Sequence, residues 1–123
     1  MNIFSLKNKV IIITGGAGLL GKEHAKSVIS FEGIPVLLDI SEEYLTRTVK
    51  ELKKFETAST IESFVVDITD RESLESVRAE LLNKYGHIDA LINNAANNPK
   101  MEVATDNMRA IQFENFPIDV WDQ

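Results

Sequence analysis

The residues with the strongest chemical signature are glycines. Gly15, Gly16, Gly18 and Gly21 fall within seven positions of "VIIITGGAGLLGKEHA" (10–25), after an unbroken apolar run and before a helix-like stretch. Gly16, Gly18 and Gly21 spell G-x-G-x-x-G, and from Thr14 the segment also reads T-G-x-x-G-x-x-G. In either register an early glycine permits a tight strand-to-helix turn. A middle one lets backbone amides approach a pyrophosphate with no Cβ in the way, and Gly21 lets the helix pack close to the strand. Phosphates would then rest on the positive end of the helix that opens at Leu19 and Leu20.

Two carboxylates complete this pattern. Asp39 ends the second apolar run, eighteen residues past Gly21, and is followed by Ile40. A carboxylate there accepts hydrogen bonds from the adenosine ribose hydroxyls and repels a 2′-phosphate, which favours NAD over NADP. Its neighbours, "LLDISEE", include no Arg or Lys that would welcome a phosphate. Capping of the next helix is the competing role for Asp39, but Ser41 is better placed for it. Asp67 ends the third run; its carboxylate can meet an adenine amino group while the backbone amide of Ile68 meets a ring nitrogen. Local capping of the third helix competes with this role.

These groups need a frame, and apolar runs alternating with 3.6-periodic polar stretches supply one. Residues 9–14, 34–40, 61–68 and 88–94 read as strands, the first two nearly continuous in Ile, Val and Leu, as in strands covered on both faces. Helices are expected over 19–32, 42–54 and 70–85. Ser41 is the expected cap of the second, and "TDRE" (69–72) fits a capping box between Thr69 and Glu72 on the third. Gly33 and Gly86 stand where left-handed residues end helices. Strand–helix–strand three times over predicts an α/β, Rossmann-like, doubly wound parallel sheet of order 3-2-1-4, with a crevice between strands one and four.

The bulk numbers narrow the partners. A chain of 123 residues suits a single domain, and no stretch approaches the roughly 20 apolar residues of a membrane span. The net charge of −6 argues against general nucleic-acid binding. With no cysteine, disulfides and thiolate metal sites are excluded, and a cytoplasmic home is the default expectation. His24 and His87 are far apart and lack HExxH-type spacing, which argues against zinc. "MNIFSLKNKV" runs straight into the first strand, so no signal peptide is expected.

With these residues in place, the chain resembles the short-chain dehydrogenase/reductase family over essentially all 123 residues. The match comprises Thr14 with Gly15, Gly18 and Gly21; Asp39; Asp67; "NNAA" (93–96); and Trp121-Asp122. It departs from the commonest subgroup at Leu19, where Gly or Ala is usual, and at Ala96, which replaces a glycine. The glycine spacing resembles a longer, sugar-nucleotide-handling subgroup, whereas the doubled asparagine and Trp121-Asp122 resemble the commonest one. The resemblance implies that Asn93 and Ala95 line the nicotinamide side of the crevice, and it adds Asn94 and Ala96 to the cofactor-binding residues.

The resemblance also implies hydride transfer between the nicotinamide and a carbonyl or alcohol. The family's acid–base group is a Tyr with a Lys four residues on, assisted by a Ser and an Asn. Here Tyr44 is followed by Thr48 and Tyr85 by Asp89, so no catalytic residue is assigned, and the family's set is expected beyond Gln123. The expectation is therefore a truncated member, one incomplete domain holding the cofactor half. A small-molecule substrate is expected only for a full-length form, and full-length relatives are expected to form homo-oligomers. A non-catalytic nucleotide-binding module and a sugar-nucleotide epimerase-like relative are the alternatives. Without the remaining strands, apolar residues of strands one and four would be partly bare, and the chain marginally stable or self-associating.

Overall fold

The computed structural model describes residues 5–56 and 59–94. Their order is β1 (Val10–Thr14), α1 (Leu19–Ser30), β2 (Ile34–Asp39), α2 (Glu42–Phe55), β3 (Glu62–Val65), α3 (Arg71–Tyr85) and β4 (Ala90–Ile92). The four strands form one parallel sheet of order β3-β2-β1-β4, as the alternating pattern predicts. Val10 pairs with Ile34 and Thr14 with Leu38, Ile11 pairs with Ala90, and Asp39 pairs with Val65.

The period-two alternation of a strand explains why β1 and β2 are apolar at nearly every position. Val10, Ile12, Val36 and Leu38 point to the face covered by α3, where they meet Leu74, Val77 and Leu81. Ile11, Ile13 and Leu37 point the other way, onto Ala25, Val28 and Ile29 of α1 and Leu45 and Leu52 of α2. Each fully buried leucine among these, such as Leu74 or Leu52, stabilises the fold by about 1.5–3 kcal/mol. Because α1 and α3 sandwich β1, that strand is buried throughout, contrary to the expectation that it would be partly bare. β4 does follow the expectation: Ala90 is exposed and Leu91 and Ile92 are half-buried.

Two local expectations change. α3 is capped by Asp70, which accepts from the amide of Ser73, and not by a Thr69–Glu72 box. Thr69 is otherwise engaged: its amide and its hydroxyl both donate to Oδ1 of Asp67, at 2.9 and 2.7 Å. At the end of α1 the left-handed residue is Glu32 (φ 71°), not Gly33. Gly33 is needed for close approach instead, since a Cβ there would come within 2.7 Å of Val28 Cγ1. Gly86 is left-handed as expected (φ 82°) and closes α3 with its amide on the carbonyl of Leu82. Ser41 caps α2, accepting from the amide of Tyr44 at 3.2 Å.

Candidate functional site

All four strands end at one edge of the sheet, and the glycine turn leaves β1 at that edge. Gly15 adopts φ 65°, a conformation that L side chains rarely take, and this reverses the chain directly after Thr14. Gly16 then passes so close to β2 that a Cβ would lie 2.7 Å from the Cβ of Leu37. Gly21, in the first turn of α1, passes so close to the turn itself that a Cβ would lie 2.4 Å from the carbonyl oxygen of Gly15. Gly18 differs: its absent side chain would meet only that same carbonyl, at an ordinary 3.4 Å. Three glycines fold the turn, and the fourth leaves its outer surface bare.

Gly18 is the N-cap of α1, and no side chain caps that helix. Nor does α1 carry an acidic residue in its first turn. The other two helices have both devices: Ser41 with Glu42 and Glu43 on α2, and Asp70 with Glu72 on α3. The first-turn amides of α1, at Leu19 and Leu20, meet no protein acceptor among the described residues. Their side chains are 77% and 50% exposed. An uncapped N-terminus of this kind can receive an anion through its backbone amides.

Both flanks of the turn are braced. On the β2 side, Asp39 accepts from the amide of Ala17 through Oδ2 at 3.0 Å and from the amide of Ser41 through Oδ1 at 3.1 Å. On the β4 side, the fully buried Thr14 hydroxyl donates towards Oδ1 of Asn93 (3.0 Å) and accepts the amide of Asn94 (2.9 Å). Asn94 also donates from Nδ2 to the carbonyl of Gly15 at 3.4 Å. The structure thus brings together Thr14, Gly15, Gly16, Gly18, Gly21, Asp39 and Asn94. Ile40, 70% exposed, continues from Asp39 along the rim.

Asp67 follows Val66, whose amide donates to the carbonyl of Asp39 at 2.9 Å; it is exposed, and its carboxylate is engaged by its own turn through Thr69. Ile68 packs against the α3-side core. Ala95, Ala96 and Trp121-Asp122 lie outside the described residues.

One supporting residue escapes a motif-based reading. Thr48 on α2 is buried and donates its hydroxyl to the carbonyl of Ala17 at 3.4 Å. The available signal was its place on the apolar stripe of α2, between Leu45 and Leu52, where a polar group needs a partner. Two cations also stand by the turn, lining a shallow depression of about 350 Å³ with Ala17, Gly18, Leu19 and Tyr44. Both are held by carboxylates, Lys22 by Glu51 at 2.8 Å and Arg47 by Glu43 at 3.2 Å. Each partner shifts the other: hydrogen bonding and charge raise the Lys22 ammonium above its ordinary pKa and lower the Glu51 carboxyl.

Among the described residues there is no cluster of three or more His, Cys, Asp or Glu able to hold a metal ion. No described helix is long and apolar enough to cross a membrane. Tyr85 lies at the opposite edge of the sheet from the glycine turn, where its hydroxyl and Lys84 both engage Glu62, the first residue of β3.

A parallel sheet with a glycine turn at its carboxyl edge and an acid at the end of the second strand defines a class of dinucleotide-binding α/β folds. The family model described as short chain dehydrogenase matches residues 9–119. The chain belongs to that family of oxidoreductases. It is 37% identical over 91 residues to a 3-oxoacyl-acyl-carrier-protein reductase of Thermotoga maritima, covering 73% of this chain and 36% of that protein. It is 34% identical over 90 residues to the post-translational flagellin modification protein A of Campylobacter coli, covering 73% of this chain and 35% of the relative. A crystal structure described as a D-mannonate oxidoreductase of Haemophilus influenzae, with bound NAD, superposes with a TM-score of 0.68 at 32% identity. It covers 78% of this chain and 34% of its own. The chain therefore spans about a third of the length of the curated relatives it matches.

Proposed function

We propose that this chain is the dinucleotide-binding portion, a single domain, of an NAD(H)-dependent oxidoreductase. In a longer form, hydride would pass between the nicotinamide and a carbonyl or alcohol substrate. The observation that carries this reading is the pairing of an uncapped helix start at Gly18 with the Asp39 carboxylate on the same turn. The first supplies amides and a positive helix end for a diphosphate. The second keeps acceptor lone pairs for ribose hydroxyls, because each carboxylate oxygen uses only one here.

Two features support NAD over NADP. Asp39 would repel a 2′-phosphate, and the nearby cations Lys22 and Arg47 are already paired with Glu51 and Glu43. The Haemophilus protein holds NAD, whereas a metagenomic short-chain oxidoreductase of similar fold holds NADP, so the preference rests on this chain's own residues. Within the crevice, the resemblance puts Asn93 and Ala95 on the nicotinamide side and adds Asn94 and Ala96 to the cofactor-binding residues, while Asp67 with Ile68, at the end of the third strand, would meet the adenine. The cytoplasm, where this cofactor is plentiful, is the proposed setting.

The test is a titration of NADH and NADPH against the chain, followed by nicotinamide fluorescence. NADH is expected to bind more tightly, and Asp39→Ala to abolish the preference. Equal affinity of the unmutated chain for the two cofactors would remove the Asp39 argument.

A further inference from the structure

We propose that Thr48 is a positioning residue for the anion-receiving turn, holding the peptide on which the aim of the Leu19 and Leu20 amides depends. This rests on the reading of the turn as a diphosphate cradle. Among the described residues only two polar side chains are buried, Thr14 and Thr48, and both bond to that turn or to its flank. A helical threonine has an easier partner in the carbonyl one turn back in its own helix. Thr48 instead reaches across 31 residues of sequence to the carbonyl of Ala17.

Ala17 is the residue between the folding glycines and the helix cap. Its peptide groups are held from both sides: Asp39 accepts the amide and Thr48 donates to the carbonyl. That carbonyl belongs to the same peptide plane as the amide of Gly18, so fixing one fixes the other. One turn further along α2, Glu51 reaches Lys22, whose own amide closes the first turn of α1 on the carbonyl of Gly18. Through these two side chains, a helix that contributes no ligand-facing amide orients one that does. A site held by locked neighbours loses less freedom on binding than one whose turn must be ordered by the ligand.

The hydroxyl has no other evident use on this stripe. Leu45 and Leu52, the buried residues flanking it, are purely apolar, and a valine would match the shape without the donor. The hydrogen bond is long, so its loss should weaken diphosphate binding by roughly fivefold, the scale of one neutral hydrogen bond.

The test compares the full chain with Thr48→Val and Thr48→Ser. Amide NMR of the ligand-free proteins reads the turn directly, and NADH titration with phosphorus NMR of the bound diphosphate reads its consequence. The expected result is displaced Gly18, Leu19 and Leu20 amide resonances in Thr48→Val, weaker NADH binding, an altered diphosphate signal, and return of all three in Thr48→Ser. If Thr48→Val lowers the unfolding midpoint yet leaves those resonances and the NADH affinity unchanged, Thr48 is packing only and the proposal is overturned. A wild-type chain indifferent to NADH would sink the cofactor reading alone, because the ligand-free resonances still decide the role of Thr48. Should Thr48→Val not fold, Thr48→Ala replaces it under the same criteria.

Discussion

The carboxylate of Asp39 accepts the backbone amide of Ala17 at 3.0 Å, joining the end of β2 to the middle of the glycine turn across 22 residues of sequence. The same side chain holds the amide of Ser41 with its other oxygen. Asp39 is thus a brace between two elements as well as the candidate ribose acceptor. A carboxylate can accept at both ends; a carboxamide presents one acceptor and one donor group. Asp39→Asn should therefore break one of the two bonds and destabilise the chain by about 1–2 kcal/mol, visible as a lower urea midpoint. An unchanged midpoint would mean that the turn holds its shape without β2.

Gly21 and Gly18 should respond in opposite ways. A Cβ on Gly21 would lie 2.4 Å from a backbone oxygen that cannot swing aside. Gly21→Ala should cost about 3 kcal/mol or more, in line with overpacking against rigid neighbours. Gly18 has room, with an ordinary contact at 3.4 Å, and it occupies a helix N-cap where serine is favoured over glycine by a few tenths of a kcal/mol. Gly18→Ser should melt no lower than the unmutated chain, yet bind NADH about tenfold more weakly. The introduced hydroxyl would take the amides that the diphosphate needs. Thermal melting and nicotinamide fluorescence on the two variants separate a folding glycine from a binding one.

Thr14→Val tests the other flank. The fully buried hydroxyl connects the end of β1 to Asn93 and Asn94 beyond β4. Valine keeps the shape and leaves the Asn94 amide without its acceptor, a loss of about 2 kcal/mol. Hydrogen exchange at the Asn94 amide should accelerate by more than the global change in stability predicts. Exchange that follows global unfolding alone would show that another acceptor replaces Thr14.

Much of this architecture is legible in the amino-acid sequence, for identifiable physical reasons. The sheet order follows from the repeated strand–helix–strand pattern with right-handed crossovers, and the doubly apolar runs of β1 and β2 mark the strands covered on both faces. The glycine turn followed from spacing, which backbone sterics enforce directly. What stayed hidden depended on competition between neighbours or on distant approach. Thr69 and Asp70 are both good caps; the helix opens at Arg71, one residue later than a Thr69–Glu72 box requires, so Asp70 holds the cap position while Thr69 bonds to Asp67. Gly33 looked like a helix terminator, but the reason for a glycine there is the side chain of Val28, and Glu32 takes the left-handed turn. Thr48 carries no motif at all. Its meaning lies in the proximity of Ala17, which only the packing of α2 against α1 creates.

The final prediction concerns acid. Asp89 sits just before β4 and accepts the amide of Val10 at 2.7 Å, with Nδ1 of His87 at 2.6 Å on the same oxygen. Burial alone would push its carboxyl up. The Val10 amide, His87 and Lys9 outweigh that and hold it below its ordinary value of 3.8. A depressed carboxylate pKa means that the unfolded chain takes up a proton first as pH falls, so the stabilisation is complete above pH 3.8 and is lost below it. Glu62 behaves alike: burial raises its carboxyl, while Lys84 and Tyr85 bring it below 4.5. Asp89→Asn keeps an acceptor for Val10 but no charge, so it should be less stable than the parent at pH 7 and approach it as the pH falls below 3.8. Urea midpoints of the two proteins at pH 7, 4.5 and 3 provide the measurement. A gap that stays constant across that range would mean that the negative charge on Asp89 does not help to hold β1 against β4.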